Sequence, residues 1–235
     1  MSITFKQVFI NNLNKAVIQL FIVIPFFSFN LICCQSVKNN SNQKSTTSTE
    51  DLQKSNVMNL EKAYFASGCF WCVEAIYESV NGVHESVSGY SGGYTKNPTY
   101  ESSNTGRTGH AETVEVYYDP KILSFSTLLD VYFGSQNISQ VNGQGPDKGS
   151  QYRSIVFYQN DKQKEFILNK ISELEKKQDI KVAAEVYPFE KFWKAEGYHQ
   201  NYERLNPNNP YVRNVSIPRL KLFKSKFPKL LKEKH

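Results

Sequence analysis

The sequence predicts an α+β domain of the ferredoxin-like kind, a two-layer plait with a βαββαβ core and a C-terminal extension. Two patterns carry this reading. Stretches near 83–90, 112–118 and 153–158 read as strands, and 112–118 alternates apolar and polar residues as a strand with one buried face does. Stretches after Gly68 and after Ser124 repeat apolar residues at helical spacing. With 235 residues, 40% hydrophobic and 14% aromatic, the chain has ample material for one packed core and accessory segments.

The N-terminus reads as an address. Lys6 and Lys15 precede an apolar run over 16–32 that Gln19, Pro25 and Asn30 interrupt. That run is short and broken for a membrane-spanning helix but fits a secretory signal, with an uncleaved signal anchor as the alternative. It ends in Leu31-Ile32-Cys33-Cys34, which resembles the bacterial lipobox, with Leu31 three residues ahead of Cys34. Residues 1–34 are therefore expected to be a lipoprotein signal peptide with Cys34 as the lipidated residue, and the protein to be exported and tethered to a membrane on the periplasmic or cell-surface side. Residues 35–57 are Ser, Asn, Gln, Lys and Thr with hardly an apolar side chain, and read as a flexible tether. The remaining domain spans 58–235.

Within the domain, 63–66 reads as a short strand and Ser67-Gly68 as the turn into a helix carrying Val73, Ile76, Tyr77 and Val80 on one face. Asn81-Gly82 ends that helix, and 83–90 is the second strand. A long loop rich in Gly, Ser, Thr and Asn covers 91–109, and loops of that length are usually functional. A third strand over 112–118 follows, then a helix capped by Ser124 with Phe125, Leu128, Leu129 and Tyr132 inward. A second glycine-rich loop runs to Gly149, and 153–158 is the fourth strand. A charged helix over 162–177 with Ile167, Ile171 and Leu174 inward, and a strand over 182–187, extend the core.

The net charge is +6, and much of the excess lies in Arg219, Lys221, Lys224, Lys226, Lys229, Lys232 and Lys234. A solvated basic tail accounts for this more simply than a nucleic-acid partner does. The alternative is that Leu220, Phe223, Phe227, Leu230 and Leu231 form a packing face.

Chemistry concentrates first in Gly68-Cys69-Phe70-Trp71-Cys72. Cys69 falls at the first turn of a helix, where free N–H groups and the dipole favour a thiolate. Cys72 lies one turn on, at a spacing that lets two sulfurs meet when the first turn permits. A zinc ribbon would need a second Cys or His pair, and haem attachment would need His where Val73 stands. No bound metal or cofactor is therefore expected. A structural disulfide remains open, but so small a loop gains the least from closure, and redox catalysis is the better reading. Glu112, counted by two, shares a face with Val114, Val116 and Tyr118. A carboxyl group pointing into that apolar layer would have a raised pKa and could donate a proton. Taken alone, a strand-end Glu turned back to solvent is the slightly commoner arrangement.

Gly-Cys-Phe-Trp at 68–71, Gly-Tyr-Ser-Gly-Gly-Tyr at 89–94, Asn-Pro-Thr-Tyr at 97–100, Gly-His-Ala-Glu at 109–112 and Gln-Tyr-Arg-Ser at 151–154 together resemble the peptide methionine sulfoxide reductases of the A type. The resemblance runs from about Ala63 to Pro210, and five motifs in order are far more specific than any one. It implies that Cys69 attacks the sulfur of a methionine S-sulfoxide, free or in an oxidised protein, while Phe70 and Trp71 form the pocket for its methyl group. It implies further that Glu112 supplies a proton to the sulfoxide oxygen and that the Tyr100 and Tyr152 hydroxyls hold that oxygen. Asp147, in Gly145-Pro146-Asp147-Lys148-Gly149, would help to organise the site. Without the resemblance, Tyr100 and Tyr152 would read as loop and core aromatics and Asp147 as a turn residue.

The reaction leaves a sulfenic acid on Cys69, which a second thiol must meet. Cys72 is assigned by elimination, since Cys33 leaves with the signal, Cys34 carries lipid and no cysteine lies beyond Cys72. A thioredoxin-like protein, or dithiothreitol in its place, is the expected external reductant of a monomeric enzyme. Two departures from the family stand out. Gln136-Asn137-Ile138 occupies the place where many members carry His-Asp-Pro, and the recycling cysteines many members have near the C-terminus are missing. Rival readings are a disulfide reductase or isomerase, which the element order opposes, and an inactive binding lipoprotein, which the intact residue set opposes.

Overall fold

The computed structural model describes residues 59–233. The signal, the tether and Cys34 lie outside the described residues. The core elements are β1 (Glu61–Ser67), α1 (Phe70–Glu78), β2 (Val83–Ser91), β3 (Ala111–Tyr118), α3 (Phe125–Gly134) and β6 (Ser154–Tyr158). Between them lie a short helix α2 (Tyr100–Asn104) and a small hairpin of β4 (Gly143–Gln144) and β5 (Asp147–Lys148). The four core strands stand in the order β6-β1-β3-β2 with every pair antiparallel. That is the strand order of a ferredoxin-like plait, as the sequence predicts.

Alternation along the strands sorts the two faces. Ala63, Phe65, Val114, Val116, Tyr118 and Val156 face the helices and pack with Val73, Ile76 and Tyr77 of α1 and Leu128, Leu129 and Tyr132 of α3. Phe65 sits opposite both Val114 and Val156, so one aromatic side chain joins three strands on that face. Tyr64, Ala66, Ala111, Ile155 and Phe157 point the other way and are covered by Phe189 and Phe192. The Tyr64 and Phe189 rings stack with centroids 3.6 Å apart.

Helix starts follow their caps. Ser124 accepts the Thr127 N–H at α3, and Asn160 accepts the Gln163 N–H at the start of α4 (Asp161–Gln178). After α4, β7 (Glu185–Pro188) pairs parallel to β6 at one edge, later than the expected 182–187. The two-residue strand β8 (Trp193–Lys194), not anticipated from the sequence, closes the other edge beside β2.

The C-terminal segment is a correction to the expected solvated tail. A short helix α5 (Tyr202–Leu205) precedes a wide π-type turn over Val212–Ser216, which runs into helix α6 (Ile217–Lys226). The lysines from Lys221 to Lys232 are exposed as expected, but Phe223 is 0% exposed and Leu220, Phe227, Leu230 and Leu231 pack on the core. The chain then returns over the end of α1, where the Asn81 N–H donates to the Leu230 carbonyl and the Lys232 N–H to that of Ser79. Apolar residues recur three and four apart with basic ones between them, so an amphipathic helix reads as a charge run. Among the described residues no helix is long and apolar enough to cross a membrane.

Candidate active site

Gly68 ends β1 with φ at +80°, a left-handed turn that spares a side chain a clash with Gln144 of the β4 hairpin. The turn places Cys69 at the N-cap of α1, in extended conformation, one position before the expected first turn. Its carbonyl accepts the N–H groups of Cys72 and Val73. The helix has no side-chain cap and no acidic residue in its first turn, leaving its N–H groups open. Glu112, reaching from β3, takes one of them: the Phe70 N–H donates to its carboxyl group at 2.9 Å.

Glu112 is 2% exposed and points into the helix-side layer, as counting by two predicts. Burial raises its pKa most; the bond from the Phe70 N–H opposes this, and the negative charge of Asp147 and the Cys72 thiolate adds to the rise, for a net value of about 8. The group is a carboxylic acid at neutral pH and can give up a proton.

Cys69 and Cys72 are both free thiols, 6% and 1% exposed. Each side chain shifts the other's titration. Burial pushes the Cys69 thiol well up, reinforced by Cys72 and Glu112, so position at a helix start does not by itself make it a thiolate. Cys72 is brought down to about 6, chiefly by the bond from Cys69, with burial opposing and Arg219, Ser216 and Tyr211 assisting. The two thiols titrate as a unit rather than as independent groups.

Cys69, Phe70, Trp71, Tyr100, Glu112, Asp147 and Tyr152 all line one cavity of about 300 Å³. Cys72 lies behind Cys69 and does not line it. Asn209 and Tyr211 complete the wall, and sequence reasoning singled out neither. The Tyr211 hydroxyl donates to the Asp147 carboxylate at 2.6 Å and sits 3.8 Å from the Cys72 sulfur. Trp71 stacks on Tyr202 at 3.7 Å, and its ring N–H donates to His199 Nδ1 at 3.0 Å. His199 is thus held neutral, with burial lowering its pKa, and its ring lies 4.9 Å from that of Phe70. The only hint of these residues in the sequence is the Tyr and His density over 198–211 in an otherwise polar stretch.

The motifs hold the loops that carry the tyrosines. His110 accepts the Gly93 N–H and bonds the Thr95 carbonyl at 2.8 Å, which pins the glycine-rich loop before Tyr100. The Tyr100 N–H donates to Glu196, whose other oxygen accepts from Tyr90. Arg153 donates to the Ser150 and Gly109 carbonyls and to Glu185, fixing the turn that presents Tyr152. Gln136, where many family members carry His, accepts from Ser154 and Gln144 and donates to the Tyr132 carbonyl. Every polar end of that side chain is engaged, so the replacement leaves no unmet group behind the site.

Residues 61–231 match the family model for peptide methionine sulfoxide reductase. The chain belongs to that family. A peptide methionine sulfoxide reductase MsrA from Pasteurella multocida is 44% identical over 172 residues, covering 73% of this chain and 99% of its own length. One from Nautilia profundicola is 48% identical over 164 residues, covering 70% of this chain and 94% of that protein. Among solved structures, the reduced form of Mxr1 from Saccharomyces cerevisiae superposes with a TM-score of 0.59 at 32% identity, covering 65% of this chain and 88% of that one. Family membership agrees with the fold and with a cavity whose lining brings together residues of four of the five motifs with Asp147.

Proposed function

We infer that this protein reduces the S epimer of methionine sulfoxide, free or within oxidised proteins, with Cys69 as the attacking sulfur. The observation that carries the reading is the meeting in one cavity of a nucleophilic sulfur, a carboxyl group kept protonated by burial, two tyrosine hydroxyls and an aromatic wall. Phe70 and Trp71 receive the methyl group. Tyr100, Tyr152 and the Glu112 acid bind the sulfoxide oxygen, and protonation of that oxygen makes the sulfur electrophilic. Cys69 then forms its bond to that sulfur, and the oxygen passes to Cys69. Overall a thiol and a sulfoxide become a sulfenic acid and a thioether, so Glu112 lends a proton and recovers one. Tyr211 fixes Asp147 at the wall.

Cys72 attacks the sulfenic sulfur of Cys69, water leaves, and a Cys69–Cys72 disulfide remains. A dithiol protein of the thioredoxin kind returns both sulfurs to thiols. The two side chains are buried against each other, which brings them near enough for closure if the first turn of α1 unwinds slightly. Lipidation of Cys34 would keep the enzyme on the membrane, where exported proteins meet oxidants.

The direct test is reduction of blocked methionine sulfoxide with dithiothreitol. The account expects turnover of the S epimer, none of the R epimer, and loss of activity in Cys69→Ser. Equal use of both epimers, or activity in Cys69→Ser, would contradict it.

A further inference from the structure

The Arg219 guanidinium is held by three neutral oxygens. Its Nε donates to the Ser135 carbonyl at 2.9 Å, Nη1 to the Ser67 carbonyl at 3.0 Å and Nη2 to the Ser67 hydroxyl at 3.1 Å. Among the described residues no carboxylate forms an ion pair with it. Its bonds fix its place without neutralising its charge. Arg219 and Cys72 line the same cleft, about 680 Å³, between α6 and the loop from Gly134 to Asp147. Cys69 lines the substrate cavity instead, so the two sulfurs face two different openings.

We propose that Arg219 is a positioning residue for recycling, holding the Cys72 sulfur as a thiolate so that Cys72 is the nucleophile when the disulfide closes and the leaving group when it opens. The proposal rests on the reading that Cys72 resolves Cys69. In closing, the Cys72 thiolate forms the S–S bond, the S–O bond of the Cys69 sulfenic acid breaks, and the departing hydroxide leaves as water after taking a proton. In opening, the reductant's thiolate bonds to Cys69 and the electron pair of the S–S bond goes to Cys72. The reductant's second thiol then displaces Cys69, which takes a proton, and the reductant departs as a disulfide. A thiolate of lower pKa leaves faster, which selects Cys69 as the sulfur attacked. The attacker must approach opposite the leaving sulfur, so the reductant enters through the cavity that methionine has vacated.

The groups around Cys72 come from several elements. Cys69 neighbours it from the start of α1, the Tyr211 hydroxyl lies 3.8 Å from its sulfur, Ser216 approaches from the segment before α6, and Glu112 and Asp147 lie on the acidic side. Lys226 lines the cleft, but Arg219 is the cation that acts on the thiol.

The test is alkylation of the full reduced chain by iodoacetamide across pH, with modification at Cys72 read by peptide mass. Arg219→Met should raise the Cys72 midpoint by about one to three pH units, and Arg219→Lys, which keeps the charge but not the three bonds, should restore most of it. An unchanged midpoint in Arg219→Met, or an equal rise in both variants, would overturn the proposal. The oxidised chain is then mixed with a thioredoxin-type protein whose second thiol is replaced by serine. The trapped mixed disulfide should map to Cys69, and mapping to Cys72 would overturn the leaving-group assignment. If S-sulfoxide produces no Cys69–Cys72 disulfide at all, the resolving role itself fails, whatever the alkylation midpoints.

Discussion

At the level of single side chains, the proposed catalysis depends on Glu112 keeping its proton at neutral pH. Its pKa is raised to about 8, chiefly by burial, so the acid form prevails below that value and is lost above it. Single-turnover reduction should therefore stay level up to neutrality and fall about tenfold per pH unit above about 8. Glu112→Gln should be slower by roughly 10²-fold and lack that limb; a rate equal to wild type would move the acid elsewhere. The same shift makes a stability statement. An unfolded Glu titrates near 4.3, so the contribution of the buried acid is complete below that pH and is lost as pH rises through about 8. Urea denaturation should show Glu112→Gln gaining on wild type by on the order of a few kcal/mol between pH 5 and pH 9. Glu112 was legible because strand periodicity sends every second side chain inward. The charge state of Cys69 was not, because helix position was visible in the sequence and the depth of burial was not. Tyr211 is invisible for another reason: it meets Asp147 from 64 residues away, through a fold that no local pattern encodes.

Among the elements, those with a clear period and a cap were legible, and those made by tertiary contact were not. α3 announces itself through Ser124 and its apolar stripe, and α4 through its charged face. β8 is two residues long and exists because β2 offers it an edge. α6 was hidden by its lysines, although Phe223 sits fully buried beneath them. The helix also carries Arg219 to Ser67 and Ser135, so packing of an apolar stripe places a cation in the cleft that Cys72 lines. Phe223→Ala should cost about 3–5 kcal/mol in urea denaturation, because truncating a fully buried ring leaves a cavity under α6. A loss under about 1 kcal/mol would mean that the segment is the solvated tail its composition suggests.

For the whole molecule, we propose that residues 1–34 act as an address and that a polar tether over 35–57 joins them to the reductase domain. Cys34→Ala should abolish lipid attachment and release or mislocalise the protein, with turnover of the purified enzyme unchanged, as membrane fractionation and mass analysis of the mature N-terminus would report. An unmodified soluble wild-type chain would contradict the tether. The two-layer plait, with α1 and α3 on one face, brings the start of α1, the start of β3 and the segments carrying Tyr100, Asp147, Tyr152 and Tyr211 to one cavity, and its order of elements was readable because strand-length and helix-period stretches are separated by turn residues. The central claim is that Cys69 takes the oxygen and Cys72 removes it, and Cys72→Ser under single-turnover conditions tests it most directly. The account predicts one methionine released per chain, a trappable sulfenic acid on Cys69, and no further turnover with a thioredoxin-like reductant. Sustained turnover by Cys72→Ser with that reductant would contradict it and leave Cys72 as a packing residue.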